Sequence, residues 1–153
     1  MLSNWRYSTV QSQSTTDVGY ATVLLTTQNT PRVVTQLCAY NGTSTTAVNM
    51  RYYIYPATSV VQDGNGQIQI ADNLSFPLGF MNADLTAAAN SETDATPAIP
   101  FGAKGASMPF FIIPENCLLV AAPYTANQNG TVIHKVISAE LGLSYGGRFD
   151  AQG

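Results

Sequence analysis

Seven short segments recur along this chain, each too short for a stable isolated helix and each rich in β-branched or aromatic residues: GYATVLLTT (19–27), RVVTQLCAY (32–40), AVNMRYYIYP (47–56), QIQIA (67–71), MPFFII (108–113), CLLVAAP (117–123) and TVIHKVISAELGL (131–143). Turn chemistry separates them. Gln28-Asn29-Thr30-Pro31, Asn41-Gly42, Asp63-Gly64-Asn65-Gly66, Pro114-Glu115-Asn116 and Gln128-Asn129-Gly130 supply residues that tolerate positive φ or preset a turn. No segment carries a helical apolar stripe. About seven short strands in one chain predict an all-β fold, an antiparallel β-sandwich of jelly-roll or immunoglobulin-like type.

The chain of 153 residues suits one domain. The sandwich is expected over 18–143. Residues 1–17 read as a polar N-terminal arm punctuated by Trp5 and Tyr7, and 144–153 as a glycine-rich C-terminal arm with Tyr145 and Phe149. Residues 72–107 contain Phe76, Phe80 and Phe101, but Pro and Gly interrupt every run. A stretch of that length without regular structure is uncommon in a compact domain and is usually functional or disordered. It reads as a loop excursion toward a partner, with a short helix allowed at 83–89.

Residues 33–56 read as a hairpin turning at 41–46. Alternation puts Val48, Met50, Tyr52 and Ile54 on the core side, and Asn49, Arg51, Tyr53 and Tyr55 on the other. An outward Tyr53 and Tyr55 would suit a protein interface, where Tyr is enriched. The segment 131–143 has apolar residues on both faces, which predicts a central strand.

Charge narrows the function. Only 10% of residues are charged, against roughly 25% in an average soluble domain, with six Lys plus Arg, nine Asp plus Glu and a net charge of -3. Such a surface suits a subunit covered by neighbours more than a free monomer. The cations are scattered singly, so the basic footprint for nucleic acid is missing. The N-terminal segment lacks the charged start and apolar core of a signal peptide, and no apolar run approaches the roughly 20 residues of a membrane helix. Folding in a cytoplasm is therefore expected, without a membrane partner. There Cys38 and Cys117 would be buried thiols, a disulfide being the alternative.

Catalytic and metal chemistry find little to build on. His134, the single histidine, sits mid-strand and reads as structural. One His and two Cys without CxxC or HxxxH spacing make no zinc signature, and Asp63-Gly64-Asn65-Gly66 lacks the further acidic ligands of a calcium loop. No phosphate-binding glycine motif occurs. The chain is expected to be no enzyme and to carry no cofactor.

TPRVVTQLCAYNGTSTTAVNMRYYIYP (30–56), followed after a long variable stretch by FFIIPENCLLVAAPYTANQNGTVIHKVISAEL (110–141), resembles small β-sandwich virion proteins of tailed bacteriophages. The likeness lies in the turn Tyr40-Asn41-Gly42-Thr43-Ser44, in Ile113-Pro114-Glu115-Asn116 with Leu118 to Ala121, and in Val132, Val136, Ile137, Ser138, Ala139 and Glu140. Asn116-Cys117 departs from the Gly-Asp usual there, and 72–107 is longer than such domains need. The resemblance implies a virion structural protein, foremost a head decoration (cement) protein that stabilises the capsid lattice. A neck, tail or fibre attachment protein is its alternative. The implied partners are the major capsid protein or other virion proteins, with a homo-oligomer, a trimer being favoured, and a place in the virion. Trp5, Tyr7, Tyr53, Tyr55, Phe76, Phe80, Phe101, Tyr145 and Phe149 are the expected interface residues. A carbohydrate- or receptor-binding module competes, and would need Tyr53, Tyr55 or Tyr124 exposed.

Overall fold

A computed structural model of the chain describes residues 2–13, 20–42, 47–59, 68–69, 83–87, 91–94, 110–123 and 131–142. Ten strands lie among them: β1 Leu2–Gln13, β2 Tyr20–Thr26, β3 Arg32–Asn41, β4 Val48–Pro56, β5 Ile68–Gln69, β6 Ala83–Ala87, β7 Ser91–Asp94, β8 Phe111–Ile113, β9 Cys117–Pro123 and β10 Thr131–Leu141. They form two antiparallel sheets, so the expected β-sandwich is present. One sheet runs β1-β10-β3-β7, with β8 also on β3, and the other runs β5-β2-β9-β4-β6. Each of the seven expected segments contains a strand.

The inner faces make one core. Val34, Leu37, Ala39, Val132, Val136 and, from β8, Phe111 of the first sheet cluster with Leu25, Val48, Met50, Tyr52, Ile54 and Leu119 of the second. The alternation read for β4 is therefore the real one, and β10 is central, flanked by β1 and β3. Cys38 and Cys117 are buried free thiols, and burial raises the Cys117 pKa, aided by the Glu115 charge.

Three expectations need correction. The segment 33–56 is no hairpin: β3 and β4 belong to different sheets. The six residues 42–47 are enough to arc across the roughly 10 Å between packed sheets, which a two-residue turn cannot do. The N-terminal residues are not an arm without regular structure, because Leu2–Gln13 pairs with β10 along its length. A bulge between Ser3 and Arg6, with Asn4 at φ 48°, resets its alternation, and only its inner face is partly covered, so no strand period shows. Lastly, 83–87 is a strand on β4 rather than a helix. Alanine's helix preference amounts to a few tenths of a kcal/mol per residue and yields to a ladder with an existing sheet. Thus two pieces of the expected excursion, β6 and β7, flank the sheets, while the rest of 72–107 lies outside the described residues.

Tyr53 and Tyr55 also correct the expectation of exposure. They stack at 5.7 Å between ring centroids, but with Ala21, Leu118, Val120 and Ala122 they form a second apolar layer on the outer face of the β2-β9-β4 sheet. Both are buried, Tyr55 to 1% exposure.

Candidate functional site

Four kinds of sheet edge occur among the described residues, and three are short. β5 has two residues, β6 five, and the β7 and β8 pair four and three. β1 has twelve, carries Arg6 as its one charge and holds no proline. Proteins normally blunt their edges by shortness, charge or proline, because an open row of N–H and C=O groups pairs readily with another strand. β1 is long and free of proline, and sets only Arg6 and the bulge between Ser3 and Arg6 against such pairing. Its outer face also holds the two most exposed large aromatics among the described residues, Trp5 at 57% and Tyr7 at 63%. Its inward Val10 packs on the core, which fixes the strand, while on its other side no strand pairs with it among the described residues.

A cleft of about 430 Å³ lies beside this strand, lined by Arg6, the β2–β3 connection (26–30), Arg32 and Glu140. The connection is held tightly. Thr27 N–H donates to the Cys117 carbonyl at 2.9 Å and Asn116 N–H to the Gln28 carbonyl at 2.7 Å. The Thr27 hydroxyl accepts from Cys117 N–H at 2.9 Å and donates to the Pro114 carbonyl. Asn116 takes φ 54° at the turn into β9, a left-handed conformation that Asn tolerates better than most residues.

Arg32 forms the floor of the cleft. Register places it directly opposite Glu140 across the β3–β10 ladder, and Glu140 opposite Ser3 of β1. Its Nε donates to Ser138 Oγ at 3.0 Å, Nη1 to Glu140 Oε1 at 3.3 Å, and Nη2 to the carbonyls of Asn4 at 2.8 Å and Ser138 at 3.3 Å. Glu140 takes a further hydrogen bond from Asn4 Nδ2. Desolvation first, then the nearby Arg6 charge, lowers the Arg32 pKa, while Glu140 opposes the shift. Sequence reasoning counted Arg32 as one scattered cation. Ser138 and Glu140, two residues apart on one strand, were visible, but only the register brings them to Arg32. Arg32→Ala is expected to cost about 2 kcal/mol, since several acceptors would lose a charged donor; urea unfolding measures it, and a loss under 0.5 kcal/mol would contradict this account.

Of the expected interface residues, Trp5 and Tyr7 are exposed together on β1, Tyr53 and Tyr55 are buried elsewhere, and Phe76, Phe80, Phe101, Tyr145 and Phe149 lie outside the described residues. His134 is fully buried, edge-on to Tyr52 at 5.6 Å. Among the described residues no three His, Cys, Asp or Glu side chains gather to hold a metal, and no helix is long and apolar enough to cross a membrane.

Comparison with protein families gives no match, and comparison with curated proteins gives none. Among solved structures, the chain is similar to one described as a Bacillus endospore appendage of a disulfide-linked pilus family, with a TM-score of 0.41 and 9% identity over 92% of this chain and 91% of that one. It is also similar to a Shewanella oneidensis protein of known crystal structure, with a TM-score of 0.28 and 10% identity over 92% of this chain and 58% of the other. At these values neither likeness bears on function.

Proposed function

We propose that this chain is a non-enzymatic structural subunit of a larger protein assembly, and specifically a bacteriophage virion protein of the head-decoration kind. The observation that carries the assembly role is β1, a twelve-residue edge strand with one charge and an exposed Trp5 and Tyr7. Strand addition to such an edge gains backbone hydrogen bonds, and two aromatics supply apolar area at roughly 25 cal/mol per Å². The sparse charge of the whole chain supports the same reading. The virion assignment draws on the resemblance of 30–56 and 110–141 to tailed-phage sandwich proteins, with capsid or other virion proteins and further copies of this chain as partners.

The strand order supports a jelly roll over an immunoglobulin-like type. The chain changes sheet at each step from β1 to β4 and again from β8 to β9 to β10. Immunoglobulin sandwiches keep their first two strands in one sheet. A sugar-binding reading loses support, because two of its three candidate stacking residues, Tyr53 and Tyr55, are buried.

Quantitative mass spectrometry of purified virions tests the assignment. A copy number near one per capsid subunit is expected; a few dozen copies would move the protein to neck, tail or fibre, and absence from particles would overturn the virion reading. Trp5→Ala with Tyr7→Ala should leave stability within about 0.5 kcal/mol, as for other exposed positions, and weaken assembly at least roughly tenfold. Undiminished assembly of the double variant in a particle-binding assay would remove β1 from the interface.

A further inference from the structure

The cleft beside β1 has a charge arrangement that the assembly role leaves unused. Among the described residues, Arg6 and Arg32 line it together with one carboxylate, Glu140, which is already engaged by Arg32 and Asn4. Among the described residues no ion pair balances Arg6. Arg32 has five N–H donors, and the four bonds described above leave one hydrogen, on Nη1, uncommitted. The described residues of the cleft therefore carry a surplus of one positive charge, in a chain whose net charge is -3. The walls add amide and hydroxyl groups from Gln28, Asn29 and Thr30, on a connection pinned to the β8–β9 turn.

We propose that this cleft binds the carboxylate of an acidic side chain presented by a neighbouring polypeptide, held between the guanidinium groups of Arg6 and Arg32. Two features select this occupant. A surplus of one charge is neutralised by a monoanion, whereas a phosphate at about -1.5 to -2 over-compensates it. A carboxylate also matches the guanidinium fork. And Arg6 belongs both to the cleft and to the edge strand β1, so a polypeptide docked at β1 meets one guanidinium of the cleft within its contact surface. The proposal rests on the reading of β1 as an assembly edge and supplies the charge selectivity that backbone pairing lacks.

The test uses the purified full chain and synthetic peptides, so its outcome is independent of virion copy number. Acetyl-Thr-Thr-Glu-Thr-Thr-amide is titrated while amide chemical shifts are followed, beside its Gln counterpart, glucuronate and inorganic phosphate. Saturable shifts at 26–32 and Arg6 are expected for the Glu peptide, with binding roughly tenfold weaker for the Gln peptide. Arg6→Gln should lose the same roughly tenfold while its urea midpoint stays in place. Equal binding of the Glu and Gln peptides, undiminished binding by Arg6→Gln, or no saturation overturns the site. Tighter binding of phosphate or glucuronate than of the Glu peptide overturns the assigned occupant.

Discussion

Acidification from pH 7 to pH 4 is expected to cost the folded protein about 3 kcal/mol through one residue, His134. Burial pushes its pKa down from 6.5 to about 4, partly opposed by a hydrogen bond with the Val10 backbone. The sign follows from which state takes the proton first. Below pH 6.5 the unfolded chain protonates its histidine while the folded core still holds it neutral, so stability is complete above 6.5 and falls by about 1.4 kcal/mol per pH unit toward 4. The ring's neighbour across the core is Tyr52, whose hydroxyl is buried and whose pKa is raised, so it offers no anion to stabilise an imidazolium. Urea midpoints at pH 7, 5.5 and 4.5 measure the slope. His134→Leu should flatten it by about one proton, and an unchanged slope in that variant would assign the acid sensitivity to other groups.

Phe111→Ala is expected to cost about 4 kcal/mol, a large share of the 5–15 kcal/mol typical of a domain. Phe111 is 1% exposed and belongs to the core cluster, yet its strand has only three residues. Little backbone pairing remains to hold β8 once the ring is gone. β8 leads directly into the 114–116 turn that anchors the β2–β3 connection, so the loss should also loosen the cleft wall. Phe111→Leu, which keeps most of the volume, should retain more than half of the lost stability. A cost below 1 kcal/mol for the alanine variant in urea unfolding would mean that the sheets close without this side chain.

Much of this architecture was legible from side-chain pattern. A strand covered on one face or both writes its burial into alternation or into a continuous apolar run, as Val48, Met50, Tyr52 and Ile54 do. Edge strands write less. β1 needs only Val10 inward, and its bulge at Asn4 breaks the period, so it passed for an arm. β6 and β7 hold their places through ladders with β4 and β3, whose backbone bonds leave no mark on residue choice.

The candidate site divides in the same way. Trp5 and Tyr7 stood out in the sequence as large aromatics in a polar stretch, and they are exposed. Tyr53 and Tyr55 looked the same, but the outer face of their sheet is itself buried, which no local pattern reveals. The sequence by itself determined an all-β sandwich, the core face of β4 and the central place of β10, because burial acts on each side chain in turn. Only the tertiary structure decided which sheet each strand joins, which described strands form the edges, and that Arg6, Arg32 and Glu140 meet. Those outcomes depend on register and on pairing between residues up to 139 positions apart, Leu2 with Leu141, where backbone hydrogen bonds, blind to side-chain identity, set the geometry.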